Sequence, residues 1–181
     1  MAIIKGRNMM LFLSDNGTTG FKSIAQATNH TLTISADTVD VSTKDIYSGK
    51  WQTSELNTLN WSASSENLVC DDPQGASYED LVEYMIAGTK IWGVFGMKSG
   101  DQTGETNVSS GGWTPLTSDG LKGQMIITNL VKNAPNGDNA SFTVDFTGVG
   151  PLTKFGTGGS TTVMKAETGV KVSTKTTTEE K

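Results

Sequence analysis

The 181-residue chain is poor in the residues that build most active sites and cross-links: one cysteine, one histidine and four prolines. A lone cysteine, Cys70, excludes an intrachain disulfide. One histidine and one cysteine cannot assemble the usual zinc ligand sets. Charged residues make up only 18%, below the usual ~25%. Acids outnumber bases, 19 to 14, for a formal net charge of -5. A nucleic-acid binder needs a basic footprint to displace counterions, and none is present, so contact with DNA is expected to be repulsive. No apolar run approaches the ~18 residues of a membrane span, and Met1-Ala2-Ile3-Ile4-Lys5-Gly6 lacks the apolar stretch of a signal peptide. The expectation is a chain made and kept in a cytoplasm, without membrane insertion.

Candidate chemistry is equally sparse. His30 heads a strand and reads as a neutral strand residue. Cys70 has no histidine near it in sequence and reads as a small, half-buried side chain. Asp71, Asp72, Glu79 and Asp80 cluster without the spacing of a calcium loop; acids before and within a first helical turn complement the helix dipole. The glycines between Gly104 and Gly112 do not lie between a strand and a helix as a phosphate loop requires. No carboxylate pair is signalled for glycoside hydrolysis. No catalytic, cofactor-binding or metal residue is assigned, and the chain reads as a non-enzyme.

Thr, Ser, Asn and Gly fill the space that charge leaves, and they favour strands and turns. Residues 9–14 form a compact apolar run, and residues 21–28 a second strand that would pair with it. Residues 30–37 alternate, with Leu32, Ile34 and Ala36 on one side and Thr31, Thr33, Ser35 and Asp37 on the other. Residues 56–67 alternate likewise: Leu59, Trp61 and Ala63 oppose Thr58, Asn60, Ser62, Ser64 and Glu66. Residues 38–54 lack a period and read as a long polar loop. Residues 77–87 form a helix, with Tyr78, Leu81, Val82, Met85 and Ile86 in one stripe, Ser77 as N-cap with Asp80 three residues on, and Gly88 at the C-terminal cap. Strands follow over 91–98 and 120–132. The turn Asn136-Gly137-Asp138 leads into 140–146, where Ala140, Phe142, Val144 and Phe146 point inward. One domain over 1–151 is expected, followed by a Thr-rich arm over 152–181 that could not fold alone.

Three of these strands carry a polar face made almost wholly of Thr, Ser and Asn. Each holds one carboxylate, Asp37, Glu66 or Asp145, and no lysine or arginine, whereas an ordinary solvated face mixes both signs. Such a wall offers a polyanion nothing to grip, as a channel for passing DNA requires. The plainer reading is an exposed sheet face. Trp51 and Trp113 lie in polar loops, either packed against the parent domain or available as interface anchors.

The order of phrases is itself informative. Lys5-Gly6-Arg7-Asn8-Met9-Met10-Leu11-Phe12 opens it. Ser23-Ile24-Ala25-Gln26-Ala27-Thr28-Asn29-His30-Thr31-Leu32-Thr33-Ile34-Ser35-Ala36 follows, then Trp61-Ser62-Ala63-Ser64-Ser65-Glu66-Asn67-Leu68, and Tyr78-Glu79-Asp80-Leu81 opens the helix. Over residues 5–148 the chain resembles the major tail tube proteins of phages with long, non-contractile tails. The resemblance implies a β-sandwich or partial barrel with one flanking helix, closing into a shared ring barrel on assembly. It implies hexameric rings stacked into a tube whose lumen holds a tape-measure protein and later conducts double-stranded DNA without binding it specifically. Asp37, Glu66 and Asp145 would face that lumen. The loop 38–54, with Asp40, Lys44, Asp45, Lys50 and Trp51, would make ring-stacking contacts together with arms at 2–7 and 157–181. Implied partners are further copies of the chain, the tape-measure protein, and tail terminator and distal tail proteins; the implied location is the virion tail, with the host cytoplasm during assembly. The alternatives are a tube subunit of a contractile tail or type VI-like secretion system, and a carbohydrate-binding β-sandwich stacking sugars on Trp51 and Trp113.

Overall fold

The computed structural model describes residues 3–42, 51–71, 73–100, 103–104, 106–108 and 111–156. Seven strands are present among them: β1 (Met9–Ser14), β2 (Lys22–Ser23), β3 (Ala27–Asp40), β4 (Ser54–Leu68), β5 (Ile91–Met97), β6 (Leu121–Asn133) and β7 (Ser141–Lys154), with helix α1 (Tyr78–Ala87) between β4 and β5. They form one sheet in the order β2-β1-β5-β6-β7-β4-β3, antiparallel at every pairing. The sheet does not close, because β2 and β3 are its two ends.

The apolar alternation read from the sequence decides how this sheet folds. Leu11 and Leu13 of β1, Ile91 of β5, Met125 and Ile127 of β6, Phe142, Val144 and Phe146 of β7, Trp61 and Ala63 of β4, and Leu81 of α1 share one buried cluster. One end of the sheet is therefore curled over the inner face of the other, which is the partial-barrel form expected. Helix α1 closes the cluster. The Ser77 hydroxyl accepts the Asp80 N–H at 3.1 Å, the Asp80 carboxylate accepts the Ser77 N–H at 2.8 Å, and Gly88 ends the helix in the left-handed conformation that only a residue without Cβ adopts cheaply. Leu81 is fully buried, and β6 holds the helix from the side through Lys132, whose Nζ lies 4.6 Å from the centre of the Tyr78 ring.

Three boundaries differ from those the sequence suggests. The strand expected over 21–28 shrinks to Lys22–Ser23, because Gln26 takes a positive φ of 51° and breaks the chain direction before β3 begins. The loop expected over 38–54 is shorter: β3 runs on to Asp40 and β4 starts at Ser54, and the Val41 N–H still donates to the Thr53 carbonyl at 3.0 Å. The polar residues there stay extended because they pair with one another across the strands. The last strand also runs past its expected end at 146. β7 continues through Pro151 to Lys154, absorbing the proline where its register with β6 shifts, a place where a missing N–H costs little; Phe155 then meets Phe21 edge to face at 5.3 Å. The remainder of the C-terminal arm lies outside the described residues.

Trp61 locks the curl. Its indole N–H donates to the Gly150 carbonyl at 2.8 Å, and its ring lies over two glycines. A Cβ on Gly148 would stand 2.2 Å from the indole and one on Gly123 2.5 Å from it. Gly148→Ala is therefore expected to destabilise by about 1–3 kcal/mol, the usual cost of overpacking, seen as a lower denaturant midpoint. Gly6→Ala, where a Cβ meets nothing within 4 Å, should leave the midpoint close to wild type.

Candidate functional site: a polar sheet face between two open edges

Strands β3, β4, β7 and β6 run alternately up and down, and their registers align side chains in rows. One row is Thr33, Ser62, Thr147 and Ile126. The next is Thr31, Ser64, Asp145 and Asn129, and the third is Asn29, Glu66, Thr143 and Val131. Ser35 with Asn60 and Asp37 with Thr58 continue the face onto the two-stranded part. The opposite face of these strands is the buried core. Asp37, Glu66 and Asp145 thus share one face, and no lysine or arginine stands in these rows. Two apolar residues of the face were not singled out from sequence: Ile126, and Val131, which is 50% exposed. Ile126 reaches the polar side by alternation between the core residues Met125 and Ile127, and the register shift of β6 between Ile127 and Asn129 brings Val131 onto the same side.

The polar groups satisfy each other. Thr58 and Asn60 both donate to Asp37 Oδ2 at 3.0 Å. Asn129 Nδ2 donates to Asp145 Oδ2 at 2.9 Å. The Thr128 hydroxyl donates to the Asp145 carbonyl at 3.2 Å, and the Thr28 hydroxyl to the Glu66 carbonyl at 3.0 Å. A shallow depression on the face is lined by Thr33, Ser62, Ser64, Thr128, Asp145 and Thr147. Short side chains bonded to their own sheet and carrying only negative charge form a smooth, non-adhesive surface toward an anionic polymer.

The face ends in two unpaired strand edges. Among the described residues, β3 pairs with β4 on one side and with no strand on the other. β6 pairs with β5 only from Leu121 to Met125, so among the described residues its edge from Ile126 to Asn133 has no strand beside it. Rows of free backbone N–H and C=O groups invite another strand.

Of the stacking residues expected at the far end of the β3–β4 ribbon, Asp40 and Trp51 are described and Lys44, Asp45 and Lys50 lie outside the described residues. Hydrogen bonds from the Ser42 side chain and backbone hold the Asp40 carboxyl below the usual range; the Ser42 N–H donates to Asp40 Oδ1 at 2.8 Å. Trp51 is 83% exposed. Trp113 is placed differently: it is half-buried against Phe12, Phe21 and Val94, with Lys98 Nζ 4.0 Å from its ring centre. That tryptophan is closed by a lysine and offers no open platform to a sugar.

His30 sits inside β3, opposite Ser65 and on the core side. Neither ring nitrogen has a partner among the described residues, and Nδ2 of the buried Asn67 on the adjoining strand is likewise unpartnered. Burial lowers the His30 pKa to about 4. The folded state therefore favours the neutral ring, and its contribution to stability is lost as pH falls from about 6.5 toward 4, by up to about 3 kcal/mol at 1.36 kcal/mol per unit. His30→Leu should flatten the pH dependence of the denaturant midpoint in that window; an unchanged slope would show that another group causes it.

Comparison with known proteins places this geometry. The sequence matches the family model described as phage tail tube protein over residues 3–154. The chain belongs to the phage tail tube protein family. No curated protein matches the sequence. Among solved structures, the chain resembles the tail of an empty gene transfer agent particle, refined helically with C6 symmetry, at 18% identity and a TM-score of 0.61, over 83% of this chain and 97% of that one. It resembles the SPP1 tail tube at 12% identity and a TM-score of 0.56, over 85% and 80%. It resembles a chain of the anti-feeding prophage baseplate at 8% identity and a TM-score of 0.50, over 86% and 97%. These likenesses are of fold.

Proposed function

We propose that copies of this tail tube subunit close edge to edge into hexameric rings, with β3 of one copy pairing antiparallel with the open part of β6 of the next. The observation that carries this is the pair of open edges bounding four alternately directed strands. An even number of alternating strands lets β3 meet β6 with the right polarity at every joint, so a ring closes without a parallel seam. Closure pairs the exposed edges. Six copies at four strands each give a wall of 24. At ~4.8 Å between strands and a tilt of ~40°, the backbone circle is ~48 Å across. With ~5 Å of side chain subtracted at each wall, a DNA duplex fits the bore.

In this reading the hydroxyl-rich face lines the bore, and Asp37, Glu66 and Asp145 repeat as rings of negative charge that keep DNA from adhering. The ribbon end, with Asp40, Trp51 and residues 43–50, reaches the next ring, and the terminal arms at 2–7 and beyond 156 add to that contact. The tube belongs to a long non-contractile tail. It holds a tape-measure protein before DNA passage and is capped by terminator and distal tail proteins, with assembly in the host cytoplasm. The subunit has no catalytic role.

Electron microscopy of the purified chain under polymerising conditions should show rings or tubes. Particles that stay monomeric at every concentration would contradict the proposal. The triple change Asp37→Lys, Glu66→Lys and Asp145→Lys should leave tubes assembled and reduce infectivity at least tenfold; normal infectivity with intact tails would remove these residues from the bore. Deleting residues 42–49 should leave rings and prevent long tubes.

A further inference from the structure

Resting on that tube reading, we propose that the apolar side of the β3–β4 ribbon is covered by helix α1 of the neighbouring copy, Ile34, Leu56 and Leu59 packing against Met85 and Ile86. Register sets the ribbon side. Ile34 pairs with Trp61, Ala36 with Leu59 and Thr38 with Leu56, so these side chains continue the face that farther along the strands is the core. Trp61 is 9% exposed, yet Ile34 is 55%, Leu59 56% and Leu56 48% exposed. The face passes from covered to bare within one residue pair, because β4 leaves β7 after Ser62 and the ribbon extends past its own cover. A two-stranded ribbon is marginal alone, and apart from Val39 this one carries its exposed large apolar side chains on one side.

The occupant has to supply two things at once: a strand edge for β3 and an apolar ridge beside it. A second copy carries both together. Its open β6 edge lies next to α1, which β6 holds through Lys132 against Tyr78 and Glu79, the latter at 3.9 Å. Joining β3 to that edge keeps core face next to core face, so the bare ribbon side arrives on the side where α1 sits. The helix has an exposed apolar patch to offer. Leu81 points into its own core, and Ile86 lies about 140° around the helix from it, beyond the reach of its own sheet; Ile86 is 82% and Met85 40% exposed.

The test uses full-length chains with Cys70→Ser. Chains carrying Leu59→Cys are co-assembled with chains carrying Ile86→Cys and oxidised mildly. A disulfide-linked dimer should appear in the mixture and in neither variant alone. Separately, Leu59→Glu and Ile86→Glu should each lower the assembled fraction at least tenfold while leaving the monomer's melting midpoint within about 2 °C of wild type. Tubes from the mixture without the cross-link, or Glu variants that assemble at wild-type yield, would overturn the contact while leaving the tube reading in place. They would leave another tail protein, or solvent, on the ribbon. Wild-type chains that never assemble would overturn both.

Discussion

Two rows of backbone groups left unpaired among the described residues, along β3 and along the second half of β6, constrain the rest of the structure. A strand edge costs nothing while water satisfies it, but it is a template for any other strand. Most small proteins shorten such edges, charge them or cover them. Here the edge strand β3 is 14 residues long, and the rows between it and β6 are filled with hydroxyls instead of lysines. The opposite end of the sheet is treated in the usual way: β2 is two residues long. The fold protects one end and leaves the other open, which suits a subunit made to be continued by its own copy.

The division of labour between faces follows from the same constraint. A strand shared between subunits must bury one face within its own subunit, or the monomer would not fold. Trp61, Ala63, Phe142, Val144 and Phe146 do this, with the Trp61 ring fitted over Gly123 and Gly148. The other face must remain compatible with whatever passes it. The Asp37 and Asp145 carboxylates are held by Thr58, Asn60 and Asn129, so their negative charge is fixed in place by short side chains.

Much of this was legible in the sequence, where local physics determines it. The alternation over 30–37 and 56–67 gave the faces of β3 and β4, and Ser77 with Asp80 gave the helix cap that is present atom for atom. Asp37, Glu66 and Asp145 were placed on polar strand sides, and they share one face. What was not legible depends on distant partners. Nothing near Trp61 in sequence announces the glycines that accommodate it, and nothing near Thr38 announces that it pairs with Leu56 and remains a strand. The left-handed Gln26 that ends the strand expected over 21–28 carries no compositional signal. Alternation also implied that Ile34 and Leu59 would be buried; within one chain they are not, because the information that covers them belongs to an assembly.

In the proposed ring β3 and the open half of β6 meet between copies, and backbone hydrogen exchange reads that joint directly. Outward amides of β3 from 29 to 40 and of β6 from 126 to 133 should exchange freely in the monomer. They should become protected together on assembly, while amides of β4 and β7 between them change little. Assembled tubes in which either edge still exchanges as fast as in the monomer would contradict it.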